Sequence, residues 1–211
     1  MDVKEMLKAL APLSKASKGS RNALVGICVG HSRLGDKGAT SASGTQEWHY
    51  NKKIAELLRL ELRRRNINCV VFSSYQGGGY GSAMAWIATQ LNMFNVDFAV
   101  ELHFNASDNA QANGYEFLYW NTSKRGKKIC QIFQQVFQKR YPSNTDRGIK
   151  ALTLGSRGAL FTRLTAMPCV ILEPFFGSNV DEWEHFGKSQ SGVLDLSEAY
   201  ADAIELCVVS L

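Results

Sequence analysis

Short apolar runs recur along this chain, each parted from the next by a longer segment of helical periodicity. "ALVGICVG" (23–30), "CVVFSS" (69–74), "DFAVELHFNA" (97–106), "GYEFLYW" (114–120) and "CVILEP" (169–174) have the length and residue types of strands. "GALFTR" (158–163) reads as one more short strand. Residues 45–66, 82–94 and about 123–140 read as helices, with Thr45 as N-cap of the first. A last helix over 193–210 places Leu196, Tyr200, Ala203 and Cys207 on one face. Strands alternating with helices leave little choice of architecture. The expectation is an α/β fold with a mostly parallel, twisted sheet of about six strands and helices on both faces. Residues 1–22 read as an extension, a short amphipathic helix followed by a Ser/Lys/Gly linker, ahead of a domain over 23–211.

The segment "FAVELHFNA" departs from a plain core strand. With a period of two, Phe98, Val100, Leu102 and Phe104 point one way, and Ala99, Glu101, His103 and Asn105 the other. A carboxylate and an imidazole on an inner face need partners or a metal. In open α/β sheets the ligand site lies beyond the carboxyl ends of the strands. His31 directly follows the first strand, His103 stands near the end of a later one, and Glu173 ends "CVILE". Their convergence on one sheet edge is the main reason to assign them one site.

A catalytic zinc takes three protein ligands and keeps one position open. His31 and His103 supply two imidazoles. Glu47, in the first turn of the helix after the "HSRLGDKGATSASGT" loop, is the third candidate ligand. His49 lies about 200° around the helix from Glu47 and cannot serve the same ion, whereas Asn51 shares the Glu47 face. His49 and His185 are read as surface or packing residues. Glu173 is left to take a proton from the attacking water and pass it to the leaving nitrogen. Glu101 lies roughly 6.6 Å deeper than His103, at about 3.3 Å per residue. It is therefore expected to orient a ligand or to form a structural pair, not to bind metal.

Composition excludes several classes. With 211 residues, 45% hydrophobic and 20% charged, the chain has ample core for one domain. No apolar run approaches the ~20 residues that span a bilayer, so no stable membrane insertion is expected. The N-terminal segment lacks the apolar stretch of a signal peptide, which predicts a cytoplasmic protein. Cys28, Cys69, Cys130, Cys169 and Cys207 include no C-x-x-C pair and read as reduced, mostly buried thiols. A net charge of +5, with clusters at 63–66 and 124–128, fits solvated helix ends or attraction to a polyanion such as nucleic acid or a cell envelope. No nucleic-acid motif accompanies it.

Four segments together, "GHSRLGDKGA", "TQEWHYN", "VELHFNAS" and "VILEPFFGSN", resemble the zinc-dependent N-acetylmuramoyl-L-alanine amidases of the amidase-3 type, phage and prophage endolysins in particular. They follow the family's order over residues 24–211. The resemblance implies one zinc ion held by His31, Glu47 and His103, with Glu173 as catalytic carboxylate. It implies peptidoglycan as substrate, cut between N-acetylmuramic acid and the L-alanine of the stem peptide. It also implies accumulation in the cytoplasm until release to the wall. "CVGH" stands where "DPGH" is common, and "EPFFGSN" where many members have Gly after the Pro; both bear on substrate contacts more than on the metal. The alternatives are a zinc carboxypeptidase acting on stem peptides, and a non-catalytic nucleotide- or wall-binding module. "QGGGYGS" (76–82) follows a strand but lacks both the G-x-G-x-x-G pattern and the P-loop Lys-Ser/Thr, and reads as a rim loop.

Overall fold

The computed structural model describes residues 23–75 and 77–211, so the extension expected over 1–22 lies outside the described residues. Among the described residues, six strands form one sheet: β1 (Leu24–Val29), β2 (Asn68–Phe72), β3 (Phe98–Leu102), β4 (Tyr115–Trp120), β5 (Asp146–Leu152) and β6 (Cys169–Glu173). Their order is β2-β1-β3-β6-β4-β5. β2, β1, β3 and β6 run parallel, while β4 is antiparallel to β6 and parallel to β5. The helices are α1 (Glu47–Arg64), α2 (Tyr80–Phe94), α3 (Lys124–Arg140), α4 (Ala159–Leu164), α5 (Val180–Glu182), a π-helical turn (Trp183–Lys188) and α6 (Gln190–Ser210).

The sheet separates two cores. Phe98, Val100 and Leu102 of β3 alternate onto one face with Tyr115, Phe117 and Tyr119 of β4, beneath apolar stripes of α1, α3 and α6. Leu196, Tyr200, Ala203 and Cys207 are all buried there, as the periodicity of the last helix predicts. The other face is covered by α2 and α4 over Cys28, Ala99, Cys169 and Ile171. The second cover stops short of the carboxyl ends of β1, β3 and β6, and a cleft opens there. From β1 the chain passes to β2 on one side, while β3 lies on the other, so the cleft sits at a topological switch point.

The structure corrects two local expectations and adds one strand that the sequence reading lacks. "GALFTR" is not a strand: Ala159–Leu164 is a helical turn behind Gly158, whose backbone is left-handed (φ 82°). A short apolar run has no periodicity that separates a strand from a buried helix. β5 had no strand signal, because it is a polar edge carrying Asp146, Arg147, Gly148 and Lys150. Thr45 does not cap α1. The amides of Glu47 and Trp48 donate to the carbonyls of Ala39 and Lys37, so the preceding loop satisfies the first turn and Gln46 stands at the N-cap without a side-chain bond. The far end of α1 closes with Asn66 in the left-handed region, Asn66 N donating to Arg63 O and Ile67 N to Leu62 O.

Candidate metal centre and catalytic cleft

His31 is placed by strain at the end of β1. Its φ of 67° puts a non-glycine residue in the left-handed region. Gly30 just before it has no room for a Cβ, which would strike the His103 ring. Gly38 closes the other side: a Cβ there would come within 2.6 Å of both Glu47 Oε2 and the His31 ring. The two glycines let the loop fold tightly around the imidazoles, which meet edge-on with centroids 4.9 Å apart.

Glu47 links the histidines. Its Oε2 lies 3.1 Å from His31 Nε2 and its Oε1 2.9 Å from His103 Nδ1. Backbone amides of Ala39 and Phe104 donate to the same two oxygens at 2.9 and 3.0 Å. Burial works against the carboxylate, but the histidine hydrogen bonds outweigh it and hold its pKa well below the usual carboxylate range. Among the described residues, His31, Glu47 and His103 are the one group whose donor atoms gather as a metal site requires, all within 4.8 Å of one another. One carboxylate and two imidazoles suit a borderline ion such as zinc.

The outer nitrogen of each histidine is also engaged. His31 Nδ1 lies 3.1 Å from Asp36 Oδ2, and His103 Nε2 lies 3.2 Å from Glu101 Oε2. Such contacts fix which ring nitrogen faces a metal. Burial lowers the pKa of both imidazoles, but the carboxylates around them raise it more: Glu47 chiefly for His31, Glu101 first for His103. Glu101 thus touches a candidate ligand from behind and lies outside the three-residue group. Its Oε1 is buried without a partner.

Glu173 lines the same cleft at the end of β6. Its Oε2 is buried and has no hydrogen-bond partner. Burial, opposed by His103 and reinforced by neighbouring carboxylates, pushes its pKa up to about 8. One of those neighbours is Glu116, directly opposite Glu173 in the β4–β6 pair. Like charges across a ladder repel. Glu116 is compensated by Asn105 Nδ2 at 2.8 Å and Arg147 Nε at 3.2 Å. A register shift gives β5 one extra residue here, and a bulge of that kind re-aims a side chain.

The remaining sequence candidates fall elsewhere. His49 is exposed and packs edge-on against Trp48, 5.1 Å between centroids. His185 is exposed in the π-helical turn. Asn51 is buried on the Glu47 face of α1, with its Nδ2 unpartnered. Of the glycine-rich loop, Gly79 and Tyr80 line the cleft rim, and Tyr75 Oη and Ser82 Oγ are 2.7 Å apart. All five cysteines are free thiols, four of them buried.

The family model of N-acetylmuramoyl-L-alanine amidases, Amidase_3, matches residues 25–206. The chain belongs to this amidase family. It is an enzyme of the amidase class, and peptidoglycan is the family's substrate. A search of curated protein sequences returns no significant match. Among solved structures, an N-acetylmuramoyl-L-alanine amidase from Clostridium difficile 630 aligns with 26% identity and a TM-score of 0.76, over 90% of this chain and 99% of that one. The catalytic domain of CwlV from Bacillus (Paenibacillus) polymyxa var. colistinus aligns with 22% identity and a TM-score of 0.75, over 90% and 99%. The catalytic domain of the CD27L endolysin targeting Clostridia difficile gives 22% and 0.73, over 87% and 97%.

Sequence reasoning for this amidase missed Asp36, Glu116 and Arg147. Asp36 sits in an irregular loop where no periodicity assigns a direction. Glu116 reaches the cleft because β4 runs backwards, which brings its first residues beside the end of β6. The one available signal was the alternation of "GYEFLYW", which puts Glu116 opposite Tyr115 and Phe117.

Proposed function

We propose that this amidase is a zinc hydrolase that cuts the amide between N-acetylmuramic acid and the L-alanine of the stem peptide. The observation that carries the reading is the gathering of His31, Glu47 and His103 beside Glu173 in one cleft of about 700 Å³. The fit to zinc rests on the donor set and on the engagement of both outer histidine nitrogens by carboxylates. His31, Glu47 and His103 would hold one ion per chain, and when bound it supplies Lewis-acid activation of water and of the scissile carbonyl. Glu173 takes the proton from the attacking water, then delivers it to the departing L-alanine nitrogen. A raised carboxyl pKa suits both halves of that exchange. Glu101 and Asp36 keep the imidazoles in register.

The narrower reading is a lytic role as a phage or prophage endolysin, supported by the motifs shared with that group. The net charge of +5 favours approach to an anionic wall. Among the described residues, no helix is long and apolar enough to cross a membrane. Residues 23–211 form the catalytic unit in this reading, and residues 1–22 are dispensable for chemistry.

Mass spectrometry of peptidoglycan digested with the purified protein tests the reaction. A free lactyl carboxyl with a new L-alanine amine, abolished by chelator and restored by zinc, is the expected result. Trimmed stem peptides still attached to the sugar would instead identify a carboxypeptidase. His31→Ala and His103→Ala should each lose most bound zinc by elemental analysis. Lysis on expression together with a separate membrane-permeabilising protein tests the endolysin role.

A further inference from the structure

The cleft is walled mainly by acidic and apolar groups. Asp36, Glu47, Glu101, Glu116 and Glu173 all line it. Against them stands Arg157, the only lysine or arginine on this wall among the described residues. Four of these five acids are engaged: Asp36 with His31, Glu101 with His103, Glu47 with both histidines, Glu116 with Arg147 and Asn105; Glu173 Oε2 is buried without a hydrogen-bond partner. Arg157 is exposed and has no carboxylate within 4.0 Å among the described residues.

The backbone holds Arg157 in place even though its side chain is free. Ser156 N donates to Thr153 O at 3.0 Å, Thr153 N to Ser156 Oγ at 3.1 Å, and Ala159 N to Ser156 O at 3.2 Å. Gly155 and Gly158 flank the arginine with φ of 88° and 82°. Gly158 lies so close to β6 that a Cβ on it would strike Ile171 Cδ1. Ile171 is two residues before Glu173, so both point to the same sheet face, roughly 7 Å apart along the strand. The turn therefore carries a fork of guanidinium donors over the wall that holds Glu173. A guanidinium left without an internal carboxylate matches a carboxylate brought by the ligand, which it can hold in a bidentate pair.

We infer that Arg157 is a specificity residue that binds a free carboxylate of the stem peptide near the cleaved amide. This rests on the peptidoglycan-amidase reading. A stem residue linked through its side-chain carboxyl keeps such a carboxylate on its α-carbon, and amidation removes its charge. The enzyme thereby distinguishes acid from amide at that position.

The test uses two synthetic muramoyl peptides, identical except that this carboxyl is free in one and a primary amide in the other. The zinc-loaded wild type should prefer the free acid by about tenfold or more in kcat/KM, the scale of a charged hydrogen bond left unmade, with the difference in KM. Arg157→Gln should lose that preference by raising KM for the acid alone, leaving kcat and turnover of the amide unchanged. Arg157→Lys should keep part of the preference. Equal use of both peptides by the wild type overturns the inference. So does a loss in Arg157→Gln that falls equally on both. If the zinc-loaded wild type cleaves neither, the amidase reading itself fails.

Discussion

On the face of the sheet beneath α1, α3 and α6, the alternate residues of β3 are Phe98, Val100 and Leu102, all buried in one apolar cluster. On the opposite face the same strand presents Ala99 and Glu101, and His103 follows directly. The first face is closed by long helices. The second is covered by α2 and the six-residue α4, and stays open over the strand ends. One strand thus gives one set of side chains to the closed core and the other set to the cleft. Substitutions on the two faces should accordingly fail in different ways: loss of folding on one, loss of metal or rate with the fold intact on the other.

The largest effect is expected on the closed face. Phe133 is fully buried on α3 between Phe117 and Tyr200, at 5.7 and 6.1 Å between centroids. Phe133→Ala should cost ~3–5 kcal/mol in denaturant unfolding. The fraction still folded should bind zinc at full stoichiometry. Folded protein without zinc would break the separation of the two faces.

Next comes Glu173→Gln, which should lose roughly 10²-fold or more in rate, the usual scale for acid–base groups, while keeping zinc and fold. Near-normal turnover would remove Glu173 from the proton transfer. The same variant has a stability signature in metal-free protein. With its pKa raised to about 8, folded Glu173 holds a proton that the unfolded chain releases near pH 4.5. The contribution of Glu173 to stability should therefore be complete below that pH and be lost as pH rises toward 8. Glu173→Gln should flatten that decline in pH-dependent melting curves.

How much of this was legible in the sequence follows from the same division. The closed face was readable, since alternation on β3 and helical stripes on α1, α3 and α6 are local patterns. The convergence of His31, Glu47, His103 and Glu173 was readable because three of the four sit at strand ends and the fourth starts the helix after β1. What escaped depends on pairing at a distance. β5 is a charged edge, α4 has only six residues, and nothing local announces that β4 runs against β6. Glu116 beside Glu173 follows from that reversal alone. The place of Glu101 was half legible: its face was clear, its contact with His103 Nε2 was not.

Glu101 and Asp36 then sharpen the comparison within the open face itself. The Glu101 side chain is 2% exposed and holds His103 from within the sheet. Glu101→Gln preserves shape and some hydrogen bonding, so zinc should remain measurable. A fall of 10–100-fold in zinc affinity or activity is expected, the scale for partners behind metal ligands. A folded variant with unchanged affinity and rate would make Glu101 merely structural.

Asp36 should give the smallest effect, though it makes the matching contact on the other histidine. It lies 3.1 Å from His31 Nδ1, close to the 3.2 Å of Glu101 from His103 Nε2, but its side chain is 53% exposed. Water can replace much of what the carboxylate gives the imidazole, and the charge is screened. His31 is also held without Asp36, by its left-handed backbone after Gly30 and by Glu47 Oε2. The Asp36 carboxylate does accept from the Gly38 amide at 3.0 Å, so the loop gains a little order from it. Asp36→Asn can keep that acceptor. Its zinc affinity, measured by competition with a chromogenic chelator, should fall by less than tenfold and by less than in Glu101→Gln. A larger loss in Asp36→Asn would mean that the loop, and not the buried carboxylate behind β3, governs how tightly the site holds its metal.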